Sequence, residues 1–154
     1  MQPEPPTLVF VFELRVQVGV PLEIGRVRGG QRRVVPIVGG TFEGPGIKGV
    51  VVPGGADWQM VHDDGVAEID ARYTLQTDAG HLIHIRNVGV RHAAPEVMRK
   101  LLAGERVDPS TVYFRSVPTF ETSAPELDEL TRNLHVASGE RYPTEVVIRV
   151  WRVQ

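Results

Sequence analysis

The stretch VAEIDARYTLQTDAGHLIHIRNVGVR, residues 66–91, decides the fold. Thr77-Asp78-Ala79-Gly80 is turn chemistry, because Asp and Gly accept tight backbone corners. It separates two runs that alternate apolar and polar, the period of a strand. A three-residue loop, Asp78–Gly80, pairs odd positions with odd across the hairpin. Ala67, Ile69, Ala71, Tyr73 and Leu75 then share a face with Ile83, Ile85 and Asn87. Glu68, Asp70, Arg72 and Thr74 share the other with His84 and Arg86. A register one residue off would mix the two sets. The apolar face is expected to point inward. The polar face then meets solvent, with cross-strand ion pairs worth about 0.2–1 kcal/mol each. The reverse arrangement, a polar lumen in which Arg72 binds an anionic group, fits less well, since a barrel has one inside and must bury something.

Working outward, Leu8–Val18 alternates in the same way, and Glu145–Val153 does so at the other end. Val34–Val38 reads as a strand that Pro36 demotes to an edge or a bulge. Residues 25–55 hold ten of the sixteen glycines, and the block GGTFEGPGIKGVVVPGGADW (39–58) reads as short hairpins with bulges and tight corners. Trp58–His62, Val112–Thr122 (broken by Pro118) and Leu134–Gly139 are further strands. Pro95–Ala103 is the one clear helix, with Pro95 in its first turn, an apolar stripe and Gly104 as its stop. Ser123–Arg132 has room for a short helical turn. The 25 valines against 10 leucines agree, because Val is stiff at χ1 and suits a pleated surface. Together these features predict an all-β chain with one short helix: a closed antiparallel β-barrel of about eight to ten strands. The 154 residues suit one domain, preceded by a flexible proline-containing segment at 1–7.

Composition excludes several functions. A net charge of −2 and a pI near 6.2 lack the clustered cations of a nucleic-acid surface. Fifteen of the 17 basic residues are Arg, which supplies donor forks for carboxylates or simply follows genomic composition. Without cysteine there is no disulfide, thiolate catalysis or thiolate metal site. No run of 18 apolar residues and no secretory leader is visible, so a soluble, cytoplasmic protein off the membrane is expected. Among the five histidines no metal-ligand spacing occurs, and His81 and His84 lie on opposite faces of a strand. No metal and no cofactor are expected. The glycines match no phosphate-loop spacing, and no serine sits in a nucleophile elbow.

The remaining chemistry rests on a few polar residues. Asp57, after the Pro53–Ala56 turn, is a candidate general base with Trp58 as a stacking platform; the plainer reading is a loop-fixing Asx turn with a packed Trp. Tyr73 and Asn87 interrupt the apolar face, as the few polar groups of a small-molecule pocket do. Tyr73 would donate to an oxyanion and Asn87 would orient a carbonyl, unless both simply bond backbone groups in a packed core. Tyr113, Arg115 and Glu121 share one parity of their strand, and Glu43 is a further carboxylate near the Gly-rich corner. Asp57, Tyr73, Asn87 and Glu121 are therefore the catalytic candidates, and Trp58, Arg72, Tyr113, Arg115 and Glu43 the substrate-binding ones.

GGTFEGPG, PGGADW, DARY and YFR, in that order between about Leu8 and Val153, resemble the bacterial and fungal family known as domain of unknown function 3237. The resemblance implies a small closed antiparallel barrel with a short helix that self-associates, and no agreed activity. This chain departs from the family pattern before its penultimate strand, with Glu129-Leu130-Thr131 in place of Trp-Leu-Asn. A pocket lined by that Trp and Asn in relatives would differ here. The reading that follows is a barrel binding an unknown small molecule and performing cofactor-free acid–base chemistry of isomerase, cyclase or lyase type. A carrier without turnover and a packed domain without a pocket are the alternatives. Apolar strand faces left outside the barrel would favour a homo-oligomer, most simply a dimer.

Overall fold

The computed structural model describes residues 1–154. Nine antiparallel strands form one sheet: β1 (Leu8–Val18), β2 (Leu22–Val27), β3 (Gly30–Gly44), β4 (Ile47–Val61), β5 (Ala67–Thr77), β6 (Leu82–His92), β7 (Tyr113–Glu121), β8 (His135–Arg141) and β9 (Glu145–Val153). Their order is β1-β9-β8-β7-β6-β5-β4-β3-β2, and β1 also pairs with β3. Eight strands thus close into a barrel, and β2 is an extra strand on the first half of β3. The β1–β9 ladder brings residues 7 and 154 together, with Thr7 and Gln154 exchanging backbone hydrogen bonds of 3.0 and 2.9 Å.

The 67–91 hairpin has the expected register, with Ala71 opposite Asn87, Tyr73 opposite Ile85 and Leu75 opposite Ile83. Its apolar face is buried, and Asp70, Arg72 and Arg86 form ion pairs on the outside at 3.2–3.6 Å. The Gly-rich block differs from the expectation. It forms no set of short hairpins but parts of two 15-residue strands, β3 and β4, joined by a single turn at Pro45-Gly46, and Trp58–His62 is no separate strand. The expected bulges lie within these strands, at Val38–Gly40 and Pro53–Gly55, where the ladders lose register. Pro36 is not on an edge. It sits where β3 changes partner from β2, which ends opposite Val34, to β1, which begins opposite Ile37. Pro118 does not break β7 either, because the β7–β8 ladder stops at Ser116 opposite Ala137.

Gly40 lets β3 run close against β1 beyond that change of partner. Its φ is +132°, and a Cβ there would stand 2.1 Å from the Arg15 carbonyl oxygen of β1. Gly46, in the turn, also has positive φ (+75°) but open space around it. Gly40→Ala is expected to cost about 2–3 kcal/mol and Gly46→Ala only about 1 kcal/mol, by urea unfolding, because only the first adds a backbone collision to the strain. Equal losses would mean that β1 yields freely at the crossing.

Helix α1 (Pro95–Leu102) follows β6 and buries Met98 and Leu101 against Val61 and Ala67. A second, five-residue helix, α2 (Asp128–Arg132), lies within the segment where a helical turn was expected. Leu130 of α2 belongs to the main core. That core is solid in one half of the barrel. Phe12 meets Phe42 and Phe120 edge-on at 5.5 and 5.8 Å, and Phe120 meets His135 at 5.1 Å.

His135 is buried, and that burial pulls its imidazole below the ordinary histidine value; the Arg152 charge adds to the effect, and a backbone hydrogen bond at Asn133 opposes it. The unfolded chain therefore takes up this proton more readily than the native one. Stability is full above pH ~6.5 and falls as pH drops below it. Thermal unfolding at pH 7.5 and 5.5 is expected to show a steeper acid loss for the native sequence than for His135→Gln. Parallel profiles would contradict this.

Candidate active site

The other half of the barrel interior is not filled. A cavity of about 40 Å³ lies there, walled by valines and isoleucines of β1, β3 and β9. By volume it has room for about three waters. Its polar groups are Asp57 and Gln59 of β4, Tyr73 of β5, Asn87 and Arg91 of β6, and Arg141 of β8. Strand pairing explains the grouping, since Asp57 is opposite Ala71 and Ala71 is opposite Asn87, in one row across three strands. Tyr73 and Arg91 follow at even spacing on the same inward faces, as the two-residue period requires.

The hydrogen bonds in the cavity are unevenly shared. Asp57 accepts from Gln59 Nε2 at 2.8 Å and from the Asp70 N–H at 2.9 Å. Gln59 Oε1, Asn87 Oδ1, Arg91 Nε and Arg141 Nη1 are buried without a hydrogen-bond partner in the protein. Buried polar atoms are normally paired, so four orphans around one cavity mark it as a place for another molecule. Burial raises the Asp57 carboxyl above the ordinary range, although Gln59, the Asp70 amide and the Arg91 charge all oppose this. Burial, and then the Asp57 charge, push the Tyr73 phenol far up, so it is a neutral donor. Burial pulls the Arg91 guanidinium down to about 10, which leaves it charged at neutral pH.

Of the sequence candidates, the structure brings together Asp57, Tyr73 and Asn87 and separates the other six from them. Trp58 follows Asp57 on a strand and so faces outward, 41% exposed, in a groove with Met60 and Val90. Arg72 lies outside beside Asp70, and Glu121 outside opposite His84. Tyr113 stacks on His92 at 4.9 Å, with the Arg115 guanidinium 5.5 Å from its ring, on an outer apolar band that includes Val88, Val90 and Val117. Glu43 lies in a surface cleft near the β3–β4 turn, beside Lys48 and Glu126. Asn87 lines the cavity with a side-chain amide that makes no hydrogen bond within the protein. Gln59, Arg91 and Arg141 are the cavity residues that sequence reasoning missed.

Residues 6–153 match the family described as "Protein of unknown function (DUF3237)". The chain belongs to the DUF3237 family. One relative, a UPF0311 protein of Rhodopseudomonas palustris, is 41% identical over 144 residues, which is 94% of each chain. A crystal structure of a protein of unknown function from that organism superposes with a TM-score of 0.94 at 38% identity, covering 99% of this chain and 100% of that one. A β-barrel-like protein from Acinetobacter baumannii gives 0.87 at 37% identity, covering 99% of both. A chain described as an enzyme from Penicillium herquei gives 0.74 at 19% identity, covering 100% of this chain and 98% of that one, a likeness of fold alone. Glu129-Leu130-Thr131, where a departure from the family pattern was expected, do not line the Asp57 cavity: Leu130 packs in the solid core, and Glu129 pairs with Arg152 at 3.1 Å. No helix is long and apolar enough to cross a membrane.

Proposed function

We propose that the Asp57 cavity is a site of cofactor-free proton transfer on a small organic molecule. Asp57 is the acid–base group, Tyr73 donates to the oxygen on which charge develops, and the unpaired Asn87 amide orients the ligand. One observation carries this reading: a carboxylate raised by burial sits among unpaired polar groups, in an otherwise apolar hollow of the barrel. A base works best when its pKa approaches the working pH, and burial moves Asp57 in that direction. A neutral phenol beside it suits the oxygen of an enolate better than a charged group that must first be desolvated.

The small volume alone suits a packed domain equally well; the polar lining is what argues for a ligand. A molecule of more than a few atoms enters only if a side chain swings aside. Arg141, the last residue of β8 and only half-buried, is placed to do so. The test is hydrogen–deuterium exchange into small ketones and 1,3-dicarbonyls in D₂O, followed by NMR, for the native sequence and Asp57→Asn. A carrier without turnover would bind members of such a panel and exchange none of them.

A further inference from the structure

The charges around the cavity do not balance. Arg91 and Arg141 line it, and Arg33 stands behind them, its charge felt by both. Arg33 has its own counter-ion: a Glu23 carboxylate oxygen lies 3.0 Å from its Nε, a charge pair although the two are not aligned for a hydrogen bond. Asp57 is the one carboxylate left for the other two, and its oxygens are engaged by the Gln59 amide and the Asp70 N–H, not by an arginine. Arg91 is 2% exposed, and its guanidinium carbon lies over the Phe114 ring, 5.6 Å from its centre, a contact that uses none of its donors. Arg91 Nε and Arg141 Nη1 are both buried and unpaired. A buried guanidinium with free donors is costly unless an anion answers it.

We infer that the cavity holds its ligand by a carboxylate group seated between Arg91 and Arg141, with the ligand's apolar part against the valine wall. This inference rests on the reading that a small molecule enters the Asp57 cavity, and it adds the substrate class: a small carboxylic acid. Guanidinium forks match the planar, two-oxygen geometry of a carboxylate. With Arg33 answered by Glu23, one carboxylate from the ligand and one from Asp57 match the charges of Arg91 and Arg141. The same carboxylate, once bound, sets the remainder of the ligand beside Asp57 and Tyr73.

The test is an NMR titration of the full chain at pH 7.5, read on the arginine Nε–H and cavity backbone signals. The probes are acetate, propionate and benzoate, each against its neutral amide, with inorganic phosphate as a further arm. Saturable shifts with a carboxylate, centred on Arg91 Nε–H and absent with its amide, are expected. Affinity should fall about 10- to 100-fold in Arg91→Gln and recover in part in Arg91→Lys. If Arg91→Gln fails to fold, the acid–amide comparison on the native sequence decides alone. Amides binding as tightly as acids at the same residues would overturn the carboxylate assignment while leaving a ligand cavity intact. Phosphate binding without any carboxylate binding would overturn it as well, as would cavity signals unmoved by every probe. The proton-transfer reading is judged separately, by deuterium exchange in Asp57→Asn.

Discussion

Asp57→Asn is expected to lose deuterium exchange into ketone substrates by about 10²–10⁴-fold while remaining folded. The geometry explains why the fold should survive. An Asn at this position still accepts from the Asp70 N–H through its carbonyl oxygen. Its new amide faces Gln59, whose Oε1 is unpaired, so a flip of the Gln59 amide restores that hydrogen bond. What disappears is the group that can take and return a proton. In the native sequence the exchange rate should climb with pH through a limb lying above the ordinary carboxylate value of ~4, since burial raises the Asp57 carboxyl. Exchange by the native sequence that Asp57→Asn leaves intact would remove Asp57 from the chemistry. A limb at or below the ordinary value would show that the carboxylate is not buried during turnover.

Phe12→Ala is expected to cost about 3–5 kcal/mol, measured by urea unfolding. Phe12 is fully buried and touches two other rings, in the half of the barrel that has no cavity. Truncation leaves a hole that the packed neighbours on β3 and β7 cannot close, and it forfeits two edge-to-face contacts. The same substitution at a residue of the hollow half should be milder. Val35→Ala, on the cavity wall, enlarges space that already exists and removes fewer packed atoms. A Phe12 loss no larger than the Val35 loss would mean that the two halves are packed alike.

The 67–91 hairpin was legible because one turn sets its register and every second residue is apolar. From that alone, Tyr73 and Asn87 face inward. Arg91 was legible by the same rule, four residues past Asn87 on the same face, but a positive charge argues against an inward place until its surroundings are known. Arg141 was hidden differently. The sequence ends that strand at Gly139, and the two residues that carry it to Arg141 have no apolar alternation. Gly139 reads as a turn signal, yet a Cβ there would meet the Phe114 ring at 2.7 Å, so the glycine makes space for an aromatic inside the barrel. The long strands β3 and β4 were misread for a related reason. Glycine and proline there mark bends within a strand, and sequence gives the same signal for a bend and an end. Trp58, Arg72, Tyr113 and Arg115 looked like ligands because they are large and polar, but strand parity places each on the outer surface.

The pairing of β1 with β9 also has a consequence in time. Glu13 and Arg149, joined at 3.0 Å across that seam, lie 136 residues apart. At typical synthesis rates of ~5–20 residues per second, β1 waits roughly 7–27 s for its last partner. Until then an apolar strand edge is open to any neighbouring nascent chain. Such distant contacts also slow spontaneous refolding, since loop closure must precede the gain from packing. The ring that leaves the finished barrel without a seam makes the unfinished one dependent on its final strand.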